Sequence, residues 1–160
     1  MANTNKNDLP VATEAQEQEA LFRHCANEMW RYPMLANLVH VPNGGSRNKR
    51  EAARLKREGV RAGYPDLLLE YASCGKYGLR IELKRRKGYT ISQEQKDWII
   101  RLNNYGYAAV FCFGWVDAWN VIKLYLDADV SAIEKVIAQS LHRAQRRSRI
   151  KKYFLHDGNF

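Results

Sequence analysis

Asp66 follows Pro65, and after fifteen intervening residues Glu82 and Lys84 stand two apart in the run Ile81-Glu82-Leu83-Lys84. Asp66–Tyr71 and Leu79–Lys84 both have the make-up of short strands, and the segment 73–78 that joins them carries Gly75 and Gly78. This spacing predicts a β-hairpin. A turn centred on Gly75 places Asp66 opposite Lys84 and Leu68 opposite Glu82. Side chains alternate along a strand, so Asp66, Glu82 and Lys84 project to one face, while Leu67, Leu69, Ile81 and Leu83 project to the other. In that register Asp66 and Glu82 are diagonal neighbours, roughly 7–8 Å apart at the backbone. A bulge of one residue would break the parity.

Two carboxylates and a lysine on one sheet face carry a cost. The carboxylates repel and desolvate badly unless a cation or a proton resolves the conflict. Hard oxygen ligands suit magnesium, with manganese as a substitute, and these ions also bind phosphate oxygens. A metal of this kind lowers the pKa of bound water and polarises a phosphodiester. Lys84 is then placed to position the water or to neutralise charge at phosphorus. The set of groups suits phosphodiester hydrolysis.

The elements that must hold this hairpin follow from local signals. Thr13 and Gln16 have capping-box spacing, with Glu14 and Glu17 in the first turn, and Leu21, Phe22, Cys25 and Met29 recur at helical spacing. A helix from Glu14 to about Trp30 is predicted. Leu38–Val41 is a short β-prone run closed by Pro42, Asn43, Gly44 and Gly45. Residues 46–58 have helical character but a thin apolar stripe of Ala52, Ala53 and Leu55. Ser92 and Gln95 repeat the capping-box spacing for a helix to about Asn104, Tyr107–Phe113 has the pattern of a buried strand, and Val116–Leu126 predicts a helix. A last amphipathic helix begins near Ser131 and uses Ile133, Val136, Ile137, Leu141 and Ala144. The order describes one mixed α/β domain, a β-sheet flanked by helices, with a basic C-terminal helical extension. Trp30, Trp98, Trp115 and Trp119 are expected in the core or at an interface.

Charge narrows the class of partner. The 160-residue chain has 26 Lys plus Arg against 17 Asp plus Glu, a formal net charge of +9. Residues 47–61 and 131–160 each carry seven basic and two acidic groups, so the rest of the chain is nearly neutral. Two basic blocks on a neutral body point to a polyanion, most simply DNA held through its phosphates. Arg47, Arg50, Arg54 and Arg57 lead the first block, and Ser46 with Arg47, just after Gly44-Gly45, is placed to clasp a phosphate near the metal. Arg146, Arg147, Arg149, Lys151 and Lys152 lead the second. The three cysteines form no CxxC pair, and the four histidines form no close pair, so neither a disulfide framework nor a zinc hydrolase is indicated. No apolar run approaches the roughly 20 residues of a membrane span. The first ten residues lack the apolar stretch of a secretory signal. The expectation is a soluble cytoplasmic protein, in a bacterium or encoded by a phage.

Gly63-Tyr64-Pro65-Asp66 followed by Glu82-Leu83-Lys84 resembles the PD-(D/E)XK nuclease signature. More narrowly, the chain resembles the VRR-NUC family in its standalone, phage-type form. The matching segments are Pro42 to Gly45, Glu58-Gly59-Val60 with Gly63 to Leu69, Ile81 to Lys84, Ser92 to Trp98, and Gly106-Tyr107. The likeness spans about residues 13–127. It implies a restriction-endonuclease-like core and a metal-dependent endonuclease that cuts branched DNA, four-way (Holliday) junctions foremost, as a homodimer. By motif it makes Asp66 and Glu82 metal ligands and Lys84 the catalytic lysine. The family's N-terminal helix adds an acid, for which Glu14 is preferred over Glu17. Gln95 matches the glutamine of the helix after the Glu-x-Lys strand and supports the site.

Plainer roles stand beside these. Asp66 could open a strand, Glu82 could line a solvated face, Glu14 and Glu17 suit a helix N-terminus, and Gln95 completes a capping box. The expected organisation is a flexible tail over 1–12, a nuclease domain over 13–128 and the basic extension over 129–160. The runner-up function is a basic DNA-binding or recruitment module that keeps the fold without cutting. A sequence-specific restriction-type nuclease is a third, for which no base-reading element is evident. The amphipathic helix over 131–144 is the candidate dimer face.

Overall fold

The capping box at Thr13 starts the first helix, α1 (Glu14–Glu28): Thr13 Oγ1 accepts from the Gln16 N–H at 3.2 Å, and Gln16 Oε1 accepts from the Thr13 N–H at 2.9 Å. A 3-10 turn over Pro33–Asn37 leads into β1 (Leu38–His40). Then follow α2 (Lys49–Arg57), β2 (Leu67–Leu69), β3 (Leu79–Lys84), α3 (Gln93–Asn104), β4 (Ala108–Phe113), α4 (Trp115–Leu126) and α5 (Val130–Gln145). The structure, a computed structural model, describes residues 10–42 and 49–145. Ser46, Arg47, the glycine pair Gly44-Gly45, most of the N-terminal tail and the cations from Arg146 onward lie outside the described residues.

The strands form one mixed sheet in the order β1-β2-β3-β4, antiparallel except for the parallel pair β3–β4. The apolar face of Leu67, Leu69, Leu79, Ile81, Leu83, Val110 and Cys112 buries against Leu21 and Cys25 of α1 and Val121, Ile122 and Tyr125 of α4. The opposite face meets Ile99 and Leu102 of α3 through Ala109 and Phe111. All six residues of β3 are buried, because helices cover both of its faces. The three cysteines are free thiols.

The hairpin keeps the expected faces but not the expected register. Leu67 pairs with Ile81 and Leu69 with Leu79, so Asp66 stands opposite Glu82 rather than Lys84. The tight turn is Cys74-Gly75, with φ of 52° and 69°, closed by the Ser73–Lys76 bridge. Positive φ at both central residues is what a two-residue type I′ turn demands. Continued outward, that turn alone would set Asp66 against Leu83 and reverse the parity. One extra residue on the arm 70–72, against 77–78, restores it. Tyr125 anchors that longer arm: its hydroxyl donates to the Tyr71 carbonyl at 2.8 Å and accepts from the Ser73 N–H at 3.0 Å.

The last strand is an edge whose outward amides are all met by side chains. Asn103 Oδ1 takes the Ala109 N–H at 3.2 Å, Ser140 Oγ the Phe111 N–H at 3.1 Å, and Asp117 Oδ2 the Phe113 N–H at 2.8 Å. This satisfies the backbone and blocks pairing with another strand. Ser140 belongs to α5, whose Ile133, Ile137 and Ala144 are buried against the rest of the chain. The apolar stripe expected to serve as a dimer face is therefore consumed internally. Trp98, Trp115 and Trp119 pack against core residues as expected, but Trp30 does not: it is 81% exposed just past α1. Among the described residues, no helix is long and apolar enough to cross a membrane.

Candidate active site

Three local arrangements bring the acidic groups to the C-terminal end of β3. The first is Gly63, whose φ of +75° and lack of a side chain let the chain pass against α3; a Cβ there would lie 2.6 Å from the Gln95 nitrogen. Pro65 and Asp66 follow at once, next to the α3 N-terminus. The second is the end of the β2–β3 ladder, where the Leu83 N–H donates to Asp66 Oδ2 at 3.0 Å. The Asp66 carbonyl is held in turn by the Val41 N–H at 2.8 Å and lies 3.0 Å from His40 Nδ1. The third is the capping box of α3, in which Gln95 Oε1 accepts from the Ser92 N–H at 2.8 Å. That bond leaves Gln95 Nε2 free to donate to Glu82 Oε1. One glutamine thus serves both the cap and the site.

Lys84 gathers the acids. Its Nζ lies 3.0 Å from Glu82 Oε1 and 3.6 Å from Glu14 Oε1. Glu82 and Lys84 are buried, and Glu14 keeps half of its side chain in solvent. The structure thus places Glu14, Asp66, Glu82, Lys84 and Gln95 together. Glu17 is elsewhere: it is buried, pairs with Arg86 Nε at 3.1 Å, and accepts the Trp115 N–H at 2.9 Å. Between the two carboxylates of α1, Glu14 reaches the site and Glu17 ties α1 to the start of α4.

Electrostatics mark the same groups. Burial, then the charge of Asp66, pushes the Glu82 carboxyl up to about 8, against the smaller pull of Lys84. Burial also raises Asp66, partly offset by the Leu83 N–H and by Lys84. The contact between the two carboxyls works in opposite directions, favouring the charged form of Asp66 and the neutral form of Glu82. For Lys84 burial favours the neutral amine, but Glu82, Glu14 and Asp66 together outweigh it and hold the ammonium above its ordinary range. Among the described residues, no three acidic, His or Cys groups converge as a ready metal cluster. The Lys84 ammonium is the counter-charge that stands among the carboxyls. By donor type the set still fits a hard divalent cation: three carboxylates, two of them strained by burial, beside a cleft open to solvent.

That cleft, about 420 Å³, is lined by Glu14, Gln18, Glu19, His40, Asp66 and Leu83. His40 is a site neighbour not foreseen from the sequence. Its signal was its place on the same strand face as buried Leu38, at the strand's end. From Arg50 to Arg57, α2 is exposed except at half-buried Leu55. Arg50, Arg54 and Arg57 are all at the surface, and the Arg54–Glu58 pair at 3.7 Å is exposed and weak.

The VRR-NUC domain model matches residues 11–114 of the chain. The chain belongs to the VRR-NUC family. A solved structure described as a VRR_NUC domain protein is similar at 32% identity and a TM-score of 0.66, covering 75% of this chain and 93% of that one. No curated protein matches. Membership of the VRR-NUC family implies a nuclease-type function acting on DNA, and the mixed sheet flanked by helices is consistent with the PD-(D/E)XK fold. Glu14, Asp66, Glu82, Lys84, Gln95 and all of α2 fall inside the matched VRR-NUC segment. The helices α4 and α5 lie beyond it.

Proposed function

We propose that this VRR-NUC protein is a magnesium-dependent endodeoxyribonuclease that hydrolyses phosphodiester bonds in branched DNA, four-way junctions foremost, and that manganese substitutes. The observation that carries the reading is Lys84 held by Glu14 and Glu82, with Glu14 and Asp66 lining one open cleft beside them. A module that only binds DNA has no use for two buried, mutually repelling carboxylates. Asp66, Glu82 and Glu14 are the groups that would hold the cation. Once bound, it supplies a polarised phosphate and an acidified water.

The protein's own groups do the rest. Gln95 Nε2 fixes the Glu82 carboxylate by donating to Glu82 Oε1, and the Leu83 N–H fixes Asp66. Lys84 lies between Glu82 and Glu14, where its ammonium can meet a phosphate oxygen and offset charge as five-coordinate phosphorus forms. The water oxygen makes the new bond to phosphorus, the ester P–O bond breaks, and the departing oxygen takes up a proton. Arg50, Arg54 and Arg57 bind flanking phosphates, and Ser46 with Arg47 clasps a phosphate near the metal. The domain limits of 13–128 and 129–160 belong to the same reading, as does a cytoplasmic setting. Homodimerisation is included because a symmetric junction needs two cuts; its check is the mass in solution by light scattering.

The decisive test is cleavage of a labelled four-way junction, flap, splayed arm and plain duplex by wild type and Glu82→Ala, each with magnesium, manganese or EDTA. Junction cutting that needs metal and is lost in Glu82→Ala is expected. Tight binding with no cutting under any condition would leave the non-cleaving module instead.

A further inference from the structure

We infer that the loop joining β3 to α3, residues 85–90, is a second DNA-binding element that receives the strand leaving the site toward the β4 edge. The inference rests on the nuclease reading above and adds the path of the substrate. Arg85, Arg86 and Lys87 follow Lys84 directly and all are exposed. A loop serving only solubility needs no fixed shape, but this one is fastened at three points. Arg85 Nε and Nη2 both donate to the Gly88 carbonyl, which folds the loop back on itself and leaves the remaining guanidinium N–H groups unspent. Arg86 is clamped by Glu17. Tyr89 lies against Phe113 of β4, with ring centroids 4.6 Å apart.

Phe113 also carries the Arg143 guanidinium of α5 at 4.2 Å from its ring centre. A row of Arg85, Lys87, Tyr89 and Arg143 therefore runs from the site across the outer strand. Its near end is continuous with the catalytic cluster, since Glu14 lines the same cleft of about 330 Å³ as Arg85, Gly88 and Tyr89. Lys87 and Arg143 have no carboxylate partner among the described residues. Cations for phosphates with a half-exposed aromatic ring between them are the groups that hold an unpaired strand. The sheet order puts β1 and β4, on which the loop rests, at opposite edges with the site between. A basic element on the β4 side of the cut suits an unpaired strand that leaves the duplex there.

The test is equilibrium binding in EDTA, which stops cutting, read by fluorescence anisotropy on a splayed arm and on plain duplex across a salt series. Lys87→Gln/Arg143→Gln should reduce the salt slope on the splayed arm by about 1.4, two phosphates at the single-strand value. Tyr89→Leu, which keeps an apolar contact with Phe113, should weaken splayed-arm binding roughly tenfold and leave duplex binding nearly unchanged. Melting curves of each variant confirm the fold; should Tyr89→Leu melt early, the Lys87/Arg143 slope decides alone. Unchanged affinity and slope in both variants, while wild type binds and cuts, would overturn the inference and spare the nuclease reading. Weakened binding in the variants of a wild type that never cuts would do the reverse.

Discussion

Glu14 and Glu17 stand one helical turn apart on α1 and face different surroundings: Glu14 lies 3.6 Å from Lys84 at the cleft, and Glu17 is buried between Arg86 and the Trp115 amide. The two acids can thus be separated by experiment. Glu14→Gln removes a half-exposed charge and is expected to leave stability within about 0.5 kcal/mol of wild type, while cleavage falls at least tenfold. Glu17→Ala strands a backbone N–H and frees Arg86, which should cost about 1–3 kcal/mol. Urea melts beside cleavage rates check the pair. Equal loss of stability in both variants would contradict the division.

Tyr125 acts at a distance on the same site. Its hydroxyl makes two bonds to the longer arm of the hairpin, and that arm's extra residue is what keeps Asp66 and Glu82 on one face. Tyr125→Phe deletes both bonds in a fully buried setting and should cost about 1–3 kcal/mol. The loss should be local first, so hydrogen exchange at the Ser73 and Lys76 amides is expected to speed up more than at Ile81. Uniform change across the sheet would mean the hydroxyl supports only global stability.

The metal-free protein should lose stability as pH rises. Glu82 titrates near 8 when folded against an ordinary value of 4.5, so the folded state holds a proton that the unfolded chain has released. That contribution is whole below pH 4.5 and fades as pH climbs through about 8, at no more than about 1.4 kcal/mol per pH unit. A divalent cation competes with this proton, so the rise in Tm on adding magnesium should be larger at pH 8.5 than at pH 5.5. Glu82→Gln should abolish both trends. A magnesium effect equal at the two pH values would separate the cation from Glu82.

How much of this was legible in the chain varied by residue for physical reasons. Thr13 and Gln16, and Ser92 and Gln95, announced their helices because a capping box is local in sequence. The shared face of Asp66, Glu82 and Lys84 was legible because strand alternation survives a register shift of two. The register itself was not, since it depends on Tyr125 some 50 residues away. The second duty of Gln95 was visible only as a family match; its capping role explained it fully. Helix-dipole reasoning treats Glu14 and Glu17 alike as first-turn acids, so only the family match gave a preference for Glu14. The spare appearance of α5 had the same cause: amphipathicity shows that a face is buried, not against what.

The basic helix α2 should bind without regard to sequence. Arg54 and Arg57 are exposed on an element with only Leu55 half-buried, so they lack the fixed setting that base reading requires. Arg54→Gln/Arg57→Gln is expected to leave the melting temperature unchanged and to lower the salt slope on duplex DNA by about 1.8, two phosphates' worth. Affinity should fall alike for unrelated sequences. With α2 and the loop over 85–90 engaging separate phosphates, combining these changes with Lys87→Gln/Arg143→Gln should add in free energy within about 0.5 kcal/mol. Strong non-additivity on a splayed arm would mean that one strand bridges both elements, and that the two basic surfaces are a single site.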